Sequence, residues 1–179
     1  SNNYTTARNA TTGTAVDGVT TDTVGVTKAR VGRDSIWQYH RAFFFFDVSG
    51  ESGIADSCTF EVYNSTGKSV YMMPVFHDAG TGLVSDDYNN VFSSGTDMTE
   101  YGLAAAFTSS GYITFNLNAA GISALNSAIG SGTFEIAIVA RIDSTAGEPP
   151  ATETETITFG DSTLNKPRIE ITYGVVAVT

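Results

Sequence analysis

The sequence predicts an all-β fold, an antiparallel jelly-roll β-sandwich with one short helix. Three observations predict it. Short apolar or alternating segments recur along the chain with turn residues between them. One segment only, near Ile122, has helical spacing. The run Arg41-Ala42-Phe43-Phe44-Phe45-Phe46-Asp47-Val48-Ser49 is too short for a membrane span and too bulky for a loop, so it reads as a strand apolar on both faces.

The elements follow in order. Residues 1–20 are rich in Thr, Ala, Gly and Asn and read as an extended tail or edge strand. From Thr21, Val24, Val26, Ala29 and Val31 form a strand that ends at Gly32-Arg33-Asp34. Trp37 to Val48 reads as one central strand. Because side chains alternate, Ala42, Phe44, Phe46 and Val48 share one face and Arg41, Phe43, Phe45 and Asp47 the other. A turn at Gly50–Gly53 leads to the Ile54–Tyr63 strand, and Val70–Phe76 follows, with Pro74 marking an edge or bulge. Asp78 to about Thr99 reads as loop, and Tyr112–Leu117 alternates. A helix then starts at the cap Asn118, aligns Ile122, Leu125 and Ile129, and stops at Gly130. Phe134–Ile142, Glu153–Phe159 and Arg168–Tyr173 complete the strands, and 174–179 is a strand-like tail. The domain proper is therefore 21–173.

At 179 residues the chain can bury a single core without disulfides. Its one cysteine, Cys58, lies among alternating apolar positions and reads as a buried small residue. The formal net charge of -10 excludes nucleic acid as a partner, because phosphate binding needs clustered Lys and Arg. No segment approaches transmembrane length, and no basic amphipathic helix offers itself to a bilayer. Few lysines and many Ser and Thr suggest an extracellular, virion or cell-surface location.

Catalytic patterns are lacking. No Gly-x-Ser-x-Gly surrounds a serine, and no P-loop, dinucleotide fingerprint, HExxH or CxxC occurs. His40 and His77 sit in strand-like segments beside aromatics and read as structural. Glu153-Thr154-Glu155 reads as a solvated strand face. Calcium is the one ion the sequence suggests, through Asp86 and Asp87 with Asn89 and Asn90, and separately Asp78, in a polar loop. Three glycosylation sequons stand at Asn3, Asn9 and Asn64.

Three segments resemble the DNRLRE-type β-sandwich family. Arg41–Ser49 is similar to its Arg-Ser-Leu-Leu-Arg-Phe-Asp-Leu-Ser pattern, and Ile54–Tyr63 to Ile-x-x-Ala-x-Leu-x-Leu-Tyr. Lys166–Tyr173 is similar to the closing Pro-Arg-Leu-x-Ile-x-Tyr strand. The resemblance implies a carbohydrate-binding-module-like jelly roll of secreted and phage-associated proteins. Phe45 departs from the pattern, which often carries a charge there. Phe43 and Phe45 are then outward-facing, covered either by a loop or the Ile122 helix, or by a neighbouring subunit.

The expectation that follows is a non-enzymatic subunit that assembles with copies of itself into an extracellular filament or virion surface. Phe43 and Phe45 would be interface residues, and the N-terminal tail or Val175, Val176 and Val178 the donated strand. The alternative is a monomeric carbohydrate-binding module or adhesin that stacks glycans on Trp37 and Tyr88, with Tyr39 and Tyr101 as further candidates.

Overall fold

The computed structural model of the chain describes residues 3–13, 21–31, 34–80, 82–130, 132–146, 152–159 and 162–174. Strand β1 (Thr21–Val31) pairs antiparallel with β2 (Asp34–His40), Val31 opposite Asp34. The segment expected as one strand from Trp37 to Val48 is two. β2 stays in the larger sheet, and after Arg41 the chain enters β3 (Ala42–Asp47), which among the described residues pairs only with β8 (Thr133–Ala140) of the smaller sheet. The break has a chemical cause: the Arg41 side chain is 1% exposed and must turn toward oxygen acceptors that neither sheet face supplies.

Strand β4 (Ala55–Asn64) has β7 (Gly111–Asn116) along one side and, along the other, β10 (Arg168–Tyr173) followed by β9 (Glu153–Thr158), which meets it at Asn64. Its register with β10 shifts at Tyr173, which pairs with Ala55 rather than Asp56. That bulge reverses the alternation. Cys58, Phe60 and Val62 are buried as expected, while Ile54 is 74% exposed and Ala55 is buried. The larger sheet runs β10-β4-β9-β1-β2, with β7 also on β4; the smaller runs β3-β8-β5-β6, where β5 is Val70–Val75 and β6 is Ala105–Phe107. Pro74 falls beyond the reach of β6, where no ladder bond is demanded of its nitrogen.

Helix α2 (Ala119–Ala128) forms where the sequence places it. The Asn118 side chain accepts from the N–H groups of Ala120 and Gly121, Leu125 is buried, and Gly130 takes φ 76°. Asn118→Ala is expected to cost about 1 kcal/mol, read as a melting point lower by about 2–4 °C. An unchanged melt would show that packing alone holds the helix. Two helices were not expected: α1 (Tyr4–Arg8), in what reads as an extended tail, and α3 (Arg141–Ser144), which ends the Phe134–Ile142 strand early.

One core lies between the sheets, with Trp37, Phe60, Phe115 and Ile157 from the larger and Phe44, Met72, Phe134 and Ile136 from the smaller. A second, smaller core lies on the other side of the smaller sheet, where Met73, Val75, Ala137 and Val139 meet Val91, Phe92 and Met98. The segment read as a surface loop is therefore the cover of a sheet face.

These features correct the expected fold class. The described residues hold three α-helices and a 3-10 turn beside the strands, so the class is mixed α/β rather than all-β. Among the described residues no ladder joins the two sheets, which remain open rather than closed into a jelly roll. The self-assembling filament subunit falls with it, since that role depended on a closed jelly-roll sandwich completed by a donated strand. The described part of the N-terminal segment is a helix docked on the domain, and Val175, Val176 and Val178 lie outside the described residues.

Candidate functional site

The outward rings of the phenylalanine run define where the site lies. Phe43 and Phe45 flank a single side chain, His77, whose imidazole stands edge-on to both at 5.1 Å. His77 therefore packs on both outward rings, and Phe43 and Phe45 are left half-buried. His77 is 2% exposed. Its Nε2–H donates to the Phe44 carbonyl at 3.2 Å, and its Nδ1 accepts the Ala79 N–H at 3.3 Å. Both ring nitrogens are committed, and the neutral tautomer is the one that satisfies both bonds. Burial pushes its pKa down to about 4, against a smaller opposing effect of the main-chain bonds. A Glu135 oxygen lies 3.5 Å from Nδ1, but with the ring neutral this is a contact, not an ion pair.

Beside His77 opens a cleft of about 410 Å³, lined by His77, Asp78 and Glu135 on one side and Phe76, Tyr101 and Phe134 on another, with α2 completing it through Ser127. Tyr101 stacks on Phe134 at 6.2 Å and meets Phe76 edge-on at 6.3 Å. It is held there because Gly102 passes against β7: a Cβ at Gly102 would lie 2.8 Å from the Asn116 carbonyl oxygen. Burial and then the Glu135 charge raise the Tyr101 phenol to about 12. Burial raises the Glu135 carboxyl too, and neighbouring Asp78 adds to it, while the Gly80 N–H opposes. Two acids and an aromatic wall thus share one concavity with no cationic side chain lining it.

A second cluster is structural. The Asp143 carboxylate receives Arg41 through Nε at 2.8 Å and Nη2 at 3.1 Å, and Arg8 Nε lies 3.3 Å from the same group. Arg41 also donates to the carbonyls of Tyr88 and Arg8, and Arg8 to those of Asp143 and Thr96. Both guanidiniums lie over the Phe92 ring, at 4.8 and 5.0 Å. The cluster ties α1, the corner between the sheets, the covering segment and α3 together.

The remaining expected residues are placed as follows. Asp87 spends its carboxylate on the Val84 N–H and the Asn90 amide, capping its own 3-10 turn, while Asp86 is exposed. Among the described residues, no three His, Cys, Asp or Glu side chains converge as a metal site. Trp37 is 3% exposed and packed edge-on to Tyr4, and Tyr39 is likewise buried. Tyr88 lies under the Arg41 guanidinium at 4.2 Å and donates its O–H to Ala7. The glycan platform expected at Trp37 and Tyr88 is therefore not a surface. Asn3 caps α1 by accepting the Thr6 N–H, and Asn9 accepts from Arg8. Asn64 is wholly buried, its amide donating to Ser109 and Thr66, so a glycan has no room on it. Glu155, expected on a solvated face, is buried and accepts the Thr66 hydroxyl and the Lys68 N–H, both at 2.5 Å.

The sequence reading named Asp78 only as a calcium oxygen and missed Glu135 and the pairing of the two. The available signal was Glu135, a lone charge in the apolar strand Phe134–Ala140. No family model, curated protein or solved structure matches the chain, which leaves the resemblance to the DNRLRE-type family without support. Fold and site together define a mixed α/β domain of two open sheets with an acidic, aromatic-walled cleft.

Proposed function

We propose that the chain is a non-enzymatic binding domain, working outside the cell or on a virion surface, whose cleft receives a small organic cation. The carrying observation is the pairing of Asp78 and Glu135 with the aromatic wall of Phe76, Tyr101 and Phe134 in a concavity that no Lys or Arg lines. The carboxylates supply the charge an ammonium group uses, the half-buried Phe76 supplies an accessible ring, and Tyr101 and Phe134, 4% and 1% exposed, form the packed apolar floor. The net charge of -10 favours a cationic ligand at long range and disfavours nucleic acid and anionic membranes. No helix among the described residues is long and apolar enough to cross a membrane. The non-catalytic reading draws on His77, which has both nitrogens bonded to main chain and none to offer as a general base.

The test is a titration with tetramethylammonium and with a short diamine, followed by amide shifts of the labelled protein, with neutral disaccharides alongside. Shifts are expected at Asp78, Tyr101, Ser127 and Glu135. Glu135→Gln should weaken binding about tenfold, equivalent to about 1.4 kcal/mol. Shifts from the disaccharides alone, or spread over the surface, would reject the cationic ligand.

A further inference from the structure

His77 stands between the rings of Phe43 and Phe45 and the cleft, and its bonds depend on its charge. As a neutral ring it accepts the Ala79 N–H at Nδ1. A proton on Nδ1 removes that acceptor and sets two N–H groups against each other. The same proton faces the Glu135 oxygen 3.5 Å away. The charged or titratable groups around the ring are Glu135 from β8, Asp78 from its own loop, Asp87 from the 3-10 turn Ser85–Asn89 and Tyr101 across the cleft. β3 presents only the rings of Phe43 and Phe45, and α2 only Ala124, Ser127 and Ala128.

We propose that His77 is a proton-operated gate on the cleft: protonating Nδ1 removes the acceptor of the Ala79 N–H and frees the segment that Ala79 anchors at the cleft rim. The release of ligand in acid rests on the cation reading of the cleft; the movement of Ala79 does not. The proton comes from solvent, and no bond other than hydrogen bonds changes. Burial sets the working range, because the desolvated ring resists charge until well below neutrality. The loop from Phe76 to Gly80 is the element that moves, since Ala79 joins it to the ring.

The decisive experiment needs no variant. The free protein, labelled with nitrogen-15, is titrated from neutral pH to well below pH 4, past the His77 midpoint, while the His77 imidazole and the Ala79 amide are followed. His77 is expected to titrate well below the ordinary histidine value. Hydrogen exchange at Ala79 should accelerate about tenfold, with the same midpoint, in excess of the ordinary pH trend of neighbouring amides. Titration of His77 near the ordinary histidine value, or an Ala79 amide indifferent to it, would overturn the gate. In a second arm, tetramethylammonium should bind about tenfold more weakly in acid than at neutral pH. His77→Gln, which keeps one donor and one acceptor, should show a smaller loss. An equal acid loss in His77→Gln counts against the gate. Failure of tetramethylammonium to bind at neutral pH rejects the cation reading, while His77 and Ala79 still decide the gate.

Discussion

Asp143→Ala is expected to destabilise the protein by about 3–5 kcal/mol, with a melting point lower by about 10 °C, more than any surface substitution would. The carboxylate is 2% exposed and holds two guanidiniums that are themselves 1–2% exposed. Removing it leaves two buried cations facing only carbonyls and rings. Asp143→Asn keeps the shape and one acceptor and should fall between the two. The Arg41 single variant should also cost several kcal/mol, because it unties four segments at once. Replacing Arg8, Arg41 and Asp143 together by apolar residues should cost less than Asp143→Ala alone, because no uncompensated charge remains. Denaturant unfolding of the set measures this. A loss below about 1 kcal/mol for Asp143→Ala would mean that water reaches the cluster and that α1 is only loosely held.

The second large effect is acid destabilisation through His77. Its pKa is 6.5 unfolded and about 4 folded, so between those values the unfolded chain binds the proton and the native state does not. Stability therefore falls as pH drops through 6.5 and levels off below about 4, a loss of about 3 kcal/mol in all. Glu135 acts with the opposite sign. Its carboxyl is raised in the fold, so the native state takes that proton first and regains part of the loss at the acid end. Asp47 and Glu61 are held low, the first by Ser49, the second by Thr114 and Arg168. They contribute stability above the ordinary carboxylate value that is lost only at lower pH. His77→Gln should flatten the profile between about pH 6.5 and pH 4 and leave the lower limb in place. A variant profile that parallels the parent would assign the acid loss to other groups.

Local patterns show clearly how much of the molecule was legible. The α2 cap at Asn118, the buried Leu125 and the stop at Gly130 all follow from chemistry within a dozen residues, and the structure has them as expected. The strands at Ala55–Asn64, Gly111–Asn116 and Arg168–Tyr173 follow from alternation. The Ala119–Ala128 helix and these strands need no distant partner to be foreseen. Helix α1 did, because a five-residue segment has no stability of its own and exists through Arg8. The corner at Arg41 did too, since a run of apolar residues reads as continuous until the guanidinium's partner, 102 residues away, is known.

The candidate site was less legible still. His77 follows an apolar strand by two positions, and Glu135 interrupts another. Neither carries a motif, and they meet because β5 and β3 both pair with β8. By itself the sequence determined the acidic charge, most of the strands and the one capped helix, because each depends on near neighbours or on composition. Only the tertiary structure decided that the sheets stay open, that an imidazole packs on the aromatic run, and that two acids share a cleft. Those outcomes depend on contacts between residues far apart in the chain, where periodicity carries no information about partners.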